Sequence, residues 1–254
     1  MHYGFLEIKF SSKFLSSKIM KKNIFCIIYG KKQKNQYILD MDHFNIFLKH
    51  HFELSNAEKT QFEKFLELFQ SYNSHTNLSA IRDAEGIIEK HFVDSIYGAT
   101  ILHELGLTNG KMLDIGSGGG FPGIPLKIVC PELDVTLLDS VGKKVRAMNF
   151  FIENLGLQNI SAIQERAEIL AKNPDFAGNF DIITSRATAY IDDILTWAKP
   201  FLKKGGKILL YKMPSDEEKK SRDKVLKKLG LKMDAEFEYF LGEKNRVIYV
   251  FSHK

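Results

Sequence analysis

Met112-Leu113-Asp114-Ile115-Gly116-Ser117-Gly118-Gly119-Gly120-Phe121-Pro122-Gly123 is the stretch on which the fold turns, because an apolar strand there runs through an aspartate into glycines and then into a helix. Glycine is the residue for backbone that must turn sharply, adopt a positive φ, or approach a ligand with no side chain between. The run therefore reads as a nucleotide-cofactor loop between a strand and a helix. In the dinucleotide fingerprint the glycines fall G-x-G-x-x-G from the first one after the strand, and the third lets helix and strand pack closely. Counted from Gly116, that third position is Phe121. The shifted frame Gly118, Gly120, Gly123 has the spacing, but it begins two residues late and puts Pro122 inside the turn, so it reads as coincidence.

Asp114, Gly116, Gly118 and Gly120, at every second position, instead resemble the first motif of the class I methyltransferases, which bind S-adenosyl-L-methionine. A second strand at 134–139 ends in Asp139, 23 positions after Gly116. A carboxylate there can accept hydrogen bonds from a ribose diol, which methyl-transfer and hydride-transfer cofactors share. Asp139 can also be read as a strand-end turn residue, and Asp114 as the cap of the next helix.

The 254 residues, 44% of them hydrophobic, suffice for one main core with a small appendage. No apolar run reaches the roughly 18 residues of a membrane-spanning helix, so no membrane partner is expected. Cys26 and Cys130 are too few and too far apart for a disulfide scaffold or a zinc site, and a reducing cytoplasm is the expected location. The net charge of +5 suggests nucleic acid until it is divided along the chain. Residues 1–40 hold eight of the 36 basic residues and only Glu7 and Asp40 of the 31 acidic ones, which leaves the rest nearly neutral. This basic extension is either an arm for nucleic acid or a segment outside the working protein, non-native or disordered, with Met41 as the true start. The second reading is favoured. A secretory signal fits less well, because the apolar run 24–28 is short and no small-residue cleavage site follows.

After Met41, Phe44, Phe47 and Leu48 recur at helical spacing behind Asp42, a candidate cap. Ser55-Asn56-Ala57-Glu58 reads as a capping box, and Phe62, Phe65, Leu66, Phe69 and Tyr72 follow on one face, the phenylalanines as core packing rather than a base-stacking platform. Residues 72–79 read as a polar connection, and 84–105 as a helix with Ile87, Ile88, Phe92, Ile96 and Tyr97 apolar. Beyond Gly110, strands are expected at 111–115, 134–139, 159–164, 180–185 and 206–212. Helices are expected near 122–130, 142–155, 166–171 and 190–203, with Pro122 and Pro125 in a first turn. That alternation predicts a doubly wound parallel sheet. The runs 233–240 and 246–252, joined by five residues, must be antiparallel, since a parallel return needs a long crossover. The expected fold class is thus α/β, a Rossmann-like seven-stranded class I methyltransferase sheet with an antiparallel terminal hairpin and N-terminal helices. Its parts are an extension at 1–40, a helical region at 41–108 and a methyltransferase domain at 109–254.

Four local motifs stand in order: His91-Phe92-Val93-Asp94-Ser95, the run 114–123, Leu137-Leu138-Asp139-Ser140 with Lys143-Lys144, and Thr184-Ser185-Arg186-Ala187. Together they resemble the small-subunit ribosomal RNA guanine-N7 methyltransferases, the glucose-inhibited division B family, over about residues 60–252. The resemblance implies a cytoplasmic, monomeric enzyme that moves a methyl group from S-adenosyl-L-methionine to N7 of a guanine in 16S rRNA, within the small ribosomal subunit or an assembly intermediate. Carried over by position, it puts cofactor contacts on Gly116, Phe121, Ala167, Glu168 and Arg186, to which the motif reading adds Gly118 and Asp139. Tyr72 stands where a tryptophan is usual, Ser79 where threonine is usual and Gly119 where proline is common, while residues 1–40 have no counterpart.

The chemistry agrees. Guanine N7 carries an exposed lone pair, so attack on a sulfonium methyl needs no prior deprotonation, and no general base is expected. The task is desolvation and alignment. Arg186, at the end of the fourth strand, is the candidate active-site residue, able to grip a carboxylate or meet an RNA phosphate. Lys143, Lys144 and Arg146 are candidate RNA contacts, or else a solvated helix face. His91 and Asp94, three apart, lack the further ligands of a metal site and read as hydrogen-bonding braces of the glycine loop, so no metal is expected. A small-molecule methyltransferase and a non-catalytic ribosome assembly factor are the alternatives, with a dehydrogenase more distant.

Overall fold

The computed structural model describes residues 8–10, 44–186 and 189–254. Expectations placed on Met41, Asp42, Ala187 and, apart from Ile8–Phe10, the 1–40 extension lie outside the described residues.

Helix α1 (Asn45–Lys49) opens the described helical region. Phe44 and Phe47 are buried as their spacing predicts, but Leu48 is 53% exposed and Ile46 takes its place against the core. Helix α2 (Asn56–Thr76) begins at the expected capping box, in which Ser55 Oγ accepts the Glu58 N–H and the Glu58 carboxylate accepts the Ser55 N–H at 2.7 Å. It buries Phe62, Phe65, Leu66 and Phe69. The helix continues through residues 72–76, where a polar connection is expected from sequence. The polar side chains there serve the next loop instead. Buried Asn73 donates to the Ser79 and Ile81 carbonyls at 3.0 and 3.2 Å and accepts the Ser79 N–H at 2.9 Å, until left-handed Asn77 (φ 52°) ends the helix. Helix α3 comprises Ala84–Ile87, a π-helical turn Ile88–Val93 and Asp94–Leu105.

The sheet follows the expected alternation. Strands β2 (Lys111–Ile115), β3 (Asp134–Asp139), β4 (Ile160–Gln164), β5 (Phe180–Arg186) and β6 (Leu202–Lys212) are parallel, and β7 (Leu231–Leu241) and β8 (Lys244–His253) form the antiparallel hairpin. The order is β7-β8-β6-β5-β2-β3-β4, and a three-residue strand β1 (Ile8–Phe10) adds antiparallel to β7 as an eighth member at the edge. Helices α4 (Gly123–Val129), α5 (Gly142–Leu155), α6 (Ala167–Leu170), α7 (Ile191–Ala198) and α8 (Asp216–Leu229) connect the strands. The expected 190–203 helix stops at Ala198, a 3₁₀ turn Lys199–Phe201 follows, and β6 starts earlier than predicted, with Leu202 pairing Phe180. Helix α8 has no counterpart in the sequence reading, because its buried apolar residues are only Val225 and Leu226. Its ends nonetheless carry the usual signals. The Ser215 hydroxyl accepts the Glu218 N–H, three acids occupy the first turn, and left-handed Gly230 stands at the close.

Side chains alternate across each strand and so feed two cores. Met112, Leu137, Ile182, Leu209 and Val250 pack under α2, α3, α4 and α5. Leu113, Leu138, Ile183, Leu210 and Phe251 pack under α6, α7 and α8, beside the partly buried Trp197. Among the described residues no helix is long and apolar enough to cross a membrane.

Candidate functional site

Strand β2 lies between β3 and β5: the order runs outward through β3 and β4 and resumes at β5 on the other side of β2, and at such a reversal open α/β folds bind ligands beyond the strand ends. The loop at that point is shaped by its alternating glycines. Gly116, Gly118 and Gly120 have φ of 72°, 60° and 92°, each in the left-handed region that a side chain disfavours. The Gly116 and Ser117 N–H groups both donate to the Leu138 carbonyl, at 2.7 and 3.1 Å, which draws the loop against the end of β3. Asp139 then closes it: one carboxylate oxygen accepts the Gly118 N–H at 3.0 Å and the Lys144 ammonium at 3.4 Å, and the other accepts the Val141 N–H at 2.9 Å. A Cβ at Gly118 would meet nothing nearer than the Gly116 carbonyl oxygen at 4.0 Å, so the space above it is open.

Asp114 faces away from that space. Its buried carboxylate accepts the Gly123 N–H and the Thr184 hydroxyl, both at 3.1 Å, and thereby ties the start of α4 to β5. Burial pushes its pKa up to about 6, against the opposing pull of its hydrogen bonds and the Arg186 charge. The helix-start reading of Asp114 is the one observed. Gly123, which the sequence reading keeps in the motif but gives no task, has a packing role. A Cβ there would collide with Leu137 Cδ2 and stand 3.0 Å from the Asp114 carboxylate, so Gly123 is what lets α4 lie on the strands.

Arg186 ends β5 with its guanidinium turned inward. It donates to Asp94 at 2.7 Å and to the Lys90 carbonyl of the π turn at 2.9 Å, meets His91 Nδ1 at 3.2 Å, and lies over the Phe121 ring at 5.3 Å. The sequence reading of Arg186 does not name Asp94, His91 and the Lys90 carbonyl as its partners. Asp94 is shared, since Tyr239 donates to its other oxygen at 2.7 Å. Burial, reinforced by the Arg186 charge, pushes the His91 pKa down to about 3, so the ring is neutral. Because a guanidinium only donates, Nδ1 accepts from Arg186 and the proton sits on Nε2, which donates to Ser79 Oγ at 2.8 Å. His91 and Asp94 therefore brace Arg186 and Tyr239 rather than hydrogen-bonding the glycine loop. Contact with the loop comes through the His91 ring, stacked on Phe121 at 4.7 Å and 16°.

Phe121 is buried among Phe65, Phe69 and His91, so its side chain belongs to the core while its backbone belongs to the loop. Ala167, buried, and Glu168, exposed, open α6 beyond β4 on the same edge of the sheet. On α5, Lys144 is turned to Asp139, whereas Lys143 and Arg146 are exposed and the Lys143 ammonium reaches the Thr76 carbonyl at 3.3 Å. Two apolar side chains stand exposed after these strands, Val141 (38%), whose N–H bonds Asp139, and Ile169 (50%) on α6. Among the described residues no group of three or more His, Cys, Asp or Glu is gathered to hold a metal ion.

Sequence reasoning missed Tyr239 and Tyr211, and it quoted Thr184 within a motif without seeing its bond to Asp114. Tyr211 donates to the Ser95 carbonyl at 2.8 Å through the space left by Gly98, where a Cβ would collide with the hydroxyl. Gly98, in the interior of a helix where glycine is disfavoured, was the one sign in sequence of such a visitor.

The sequence pattern of the family described as rRNA small subunit methyltransferase G matches residues 58–246. The chain is 40% identical over 189 residues to the ribosomal RNA small subunit methyltransferase G of Acetivibrio thermocellus, covering 73% of this chain and 77% of that one. It is 36% identical over 202 residues to the protein of the same name from Lysinibacillus sphaericus, covering 78% and 84%. Among solved structures it is similar to a ribosomal protein L11 methylase from Lactobacillus delbrueckii subsp. bulgaricus, with a TM-score of 0.51, 16% identity, and coverage of 65% of this chain and 79% of that one. At that identity the likeness bears on the fold alone.

Proposed function

Since the chain belongs to the rRNA small subunit methyltransferase G family, we propose that it transfers the methyl group of S-adenosyl-L-methionine to N7 of a guanine in 16S rRNA. It acts in this reading as a cytoplasmic monomer on the small ribosomal subunit or an assembly intermediate. The observation that carries the cofactor assignment is the open space above Gly118 beside the carboxylate of Asp139, with the apolar side chains of Val141 and Ile169 exposed after β3 and on α6. Those groups suit a ligand with a ribose and a flat apolar base. S-adenosyl-L-methionine supplies an electrophilic methyl group when bound.

The chain's own residues have a limited task. Gly116, Gly118 and the Phe121 backbone leave room for the cofactor, Asp139 offers its remaining lone pairs to a ribose, and Ala167 and Glu168 border the base from α6. Arg186 provides a positive charge fixed by Asp94 and His91 at the end of β5. No residue has to remove a proton, because N7 presents its lone pair directly. Alignment and exclusion of water remain as the catalytic work. Lys143 and Arg146 meet RNA phosphate, while Lys144 serves Asp139. Residues 109–254 carry the chemistry, 41–108 build the wall behind Phe121, and 1–40 are dispensable.

The test is methyl transfer from labelled S-adenosyl-L-methionine to 16S rRNA, naked and in subunits, from a strain lacking this gene, with the modified base identified by mass. A single N7-methylguanosine is expected. Cofactor binding with no labelled RNA would overturn the reading in favour of a small-molecule substrate or an assembly factor.

A further inference from the structure

A second surface begins one residue before Lys144, which bonds the loop's Asp139, and takes no part in holding the loop. Lys144 bonds Asp139, and its neighbour Lys143 points the other way, to the Thr76 carbonyl at the end of α2. Along α5, Lys143, Arg146 and Phe150 stand at intervals of three and four and share the outward side, while Val145, Met148 and Phe151 are buried. Phe150 is 37% exposed, and its ring lies 5.3 Å from that of half-buried Tyr72, which in turn lies 5.2 Å from exposed His75. Exposed Arg82 closes the group from below, donating to Asn77 Oδ1 and to the Asn73 carbonyl. The nearest acid along this side of α5 is Glu153, one turn beyond Phe150.

We propose that this face of α2 and α5 is a docking surface for unpaired RNA, with the Tyr72, Phe150 and His75 rings receiving bases and Lys143, Arg146 and Arg82 meeting phosphates. The inference rests on RNA being the substrate and names the part of the molecule that receives it. Half-exposed rings flanked by cations fit a strand whose bases are splayed, since paired RNA hides its base faces. An acidic protein would use the cations but gain little from three adjacent rings. The surface also explains how a nearly neutral fold can engage RNA: the charge is gathered beside the cofactor loop, so a strand held there is delivered to it.

The experiment measures binding of naked 16S rRNA and of intact small subunits at several salt concentrations, together with the KM for RNA and the affinity for S-adenosyl-L-methionine. The Lys143→Glu, Arg146→Glu double variant should bind RNA at least tenfold more weakly, and its slope of log affinity against log salt should be shallower by about 1.4, two single-strand phosphate contacts. Phe150→Ala should lose about tenfold with the slope unchanged, and Phe150→Tyr should keep the wild-type affinity. Cofactor affinity and thermal midpoint should stay at wild-type values and thereby report intact folding. Unaltered RNA affinity and salt slope in the double variant would overturn the proposal, as would a loss confined to intact subunits, which would assign the face to a ribosomal protein. A wild-type protein that methylates no RNA overturns the function proposed above, while the binding arm still reads this surface.

Discussion

The two ends of the parallel strands nearest the cofactor space are built in opposite ways. At the β2–β3 end, carboxylates bond chiefly backbone N–H groups: Asp139 takes Gly118 and Val141 besides Lys144, and Asp114 takes Gly123 besides the Thr184 hydroxyl. At the β5 end, side chains bond chiefly side chains, with Arg186, Asp94, His91 and Tyr239 linked to one another and one further bond from Arg186 to the Lys90 carbonyl. A loop pinned through its backbone keeps its shape whatever occupies it, which suits a cofactor that must be admitted and released. A buried ionic cluster holds one charge at one place, and loses heavily if any member is removed.

The contrast can be broken most severely at Asp94. Asp94→Ala takes the buried counter-ion from the Arg186 guanidinium and the acceptor from Tyr239, and should cost about 3–5 kcal/mol of stability in urea unfolding. A loss below about 1 kcal/mol would mean that the β5 end is not the ionic cluster described. Gly116→Val should do the reverse, because a β-branched residue cannot hold a φ of 72° without strain. The fold should survive while S-adenosyl-L-methionine affinity falls on the order of 100-fold, about 2.7 kcal/mol, by calorimetry. Tight binding by the folded variant would remove the loop from the site. Gly123→Ala should cost about 1–3 kcal/mol by crowding Leu137 and Asp114, and a variant with an unchanged thermal midpoint would deny Gly123 its packing role.

Acid sharpens the comparison with the smallest effect. His91 is held well below its usual pKa, so between about pH 6.5 and 3 the unfolded chain takes a proton that the folded one refuses, and stability falls as pH drops. Asp114 is held above its usual value, so between about pH 6 and 3.8 the folded chain takes the proton first, and stability rises as pH drops. The two ends oppose each other in that window. Asp114→Asn should therefore destabilise more steeply than wild type on acidification from pH 6 to 4, and His91→Gln less steeply, each by at most about 1.4 kcal/mol per pH unit. Parallel profiles for all three proteins would show that neither group carries the linkage.

The same contrast explains what could be read in advance. The glycine loop, Asp139 and most strand boundaries, that of β6 excepted, are local, and each lies within one strand–loop–helix unit whose periodicity and glycines announce it. The β5 cluster joins residues 92 and 145 positions apart, and Tyr211 meets Ser95 across 116, separations at which no spacing rule operates. Arg186 could be picked out, but not the inward turn of its guanidinium, because Asp94 and His91 showed no sign in sequence of being its partners. Helix α8 escaped for another reason: with Val225 and Leu226 as its buried apolar residues, it offers almost no hydrophobic period and is declared only by its ends.

The division of the core into two layers also decides what light can see. Trp197, the single tryptophan of the chain, packs with the α6–α8 layer, whereas the rings under α2 and α3 are phenylalanine and tyrosine. Tryptophan emission will thus follow one side of the sheet and be nearly blind to the other. Loosening of the helices around Phe65, Phe69 and Phe92 would be silent in a fluorescence melt and visible in near-ultraviolet circular dichroism, so a gap between the two curves would be a direct optical record of one layer parting before the other.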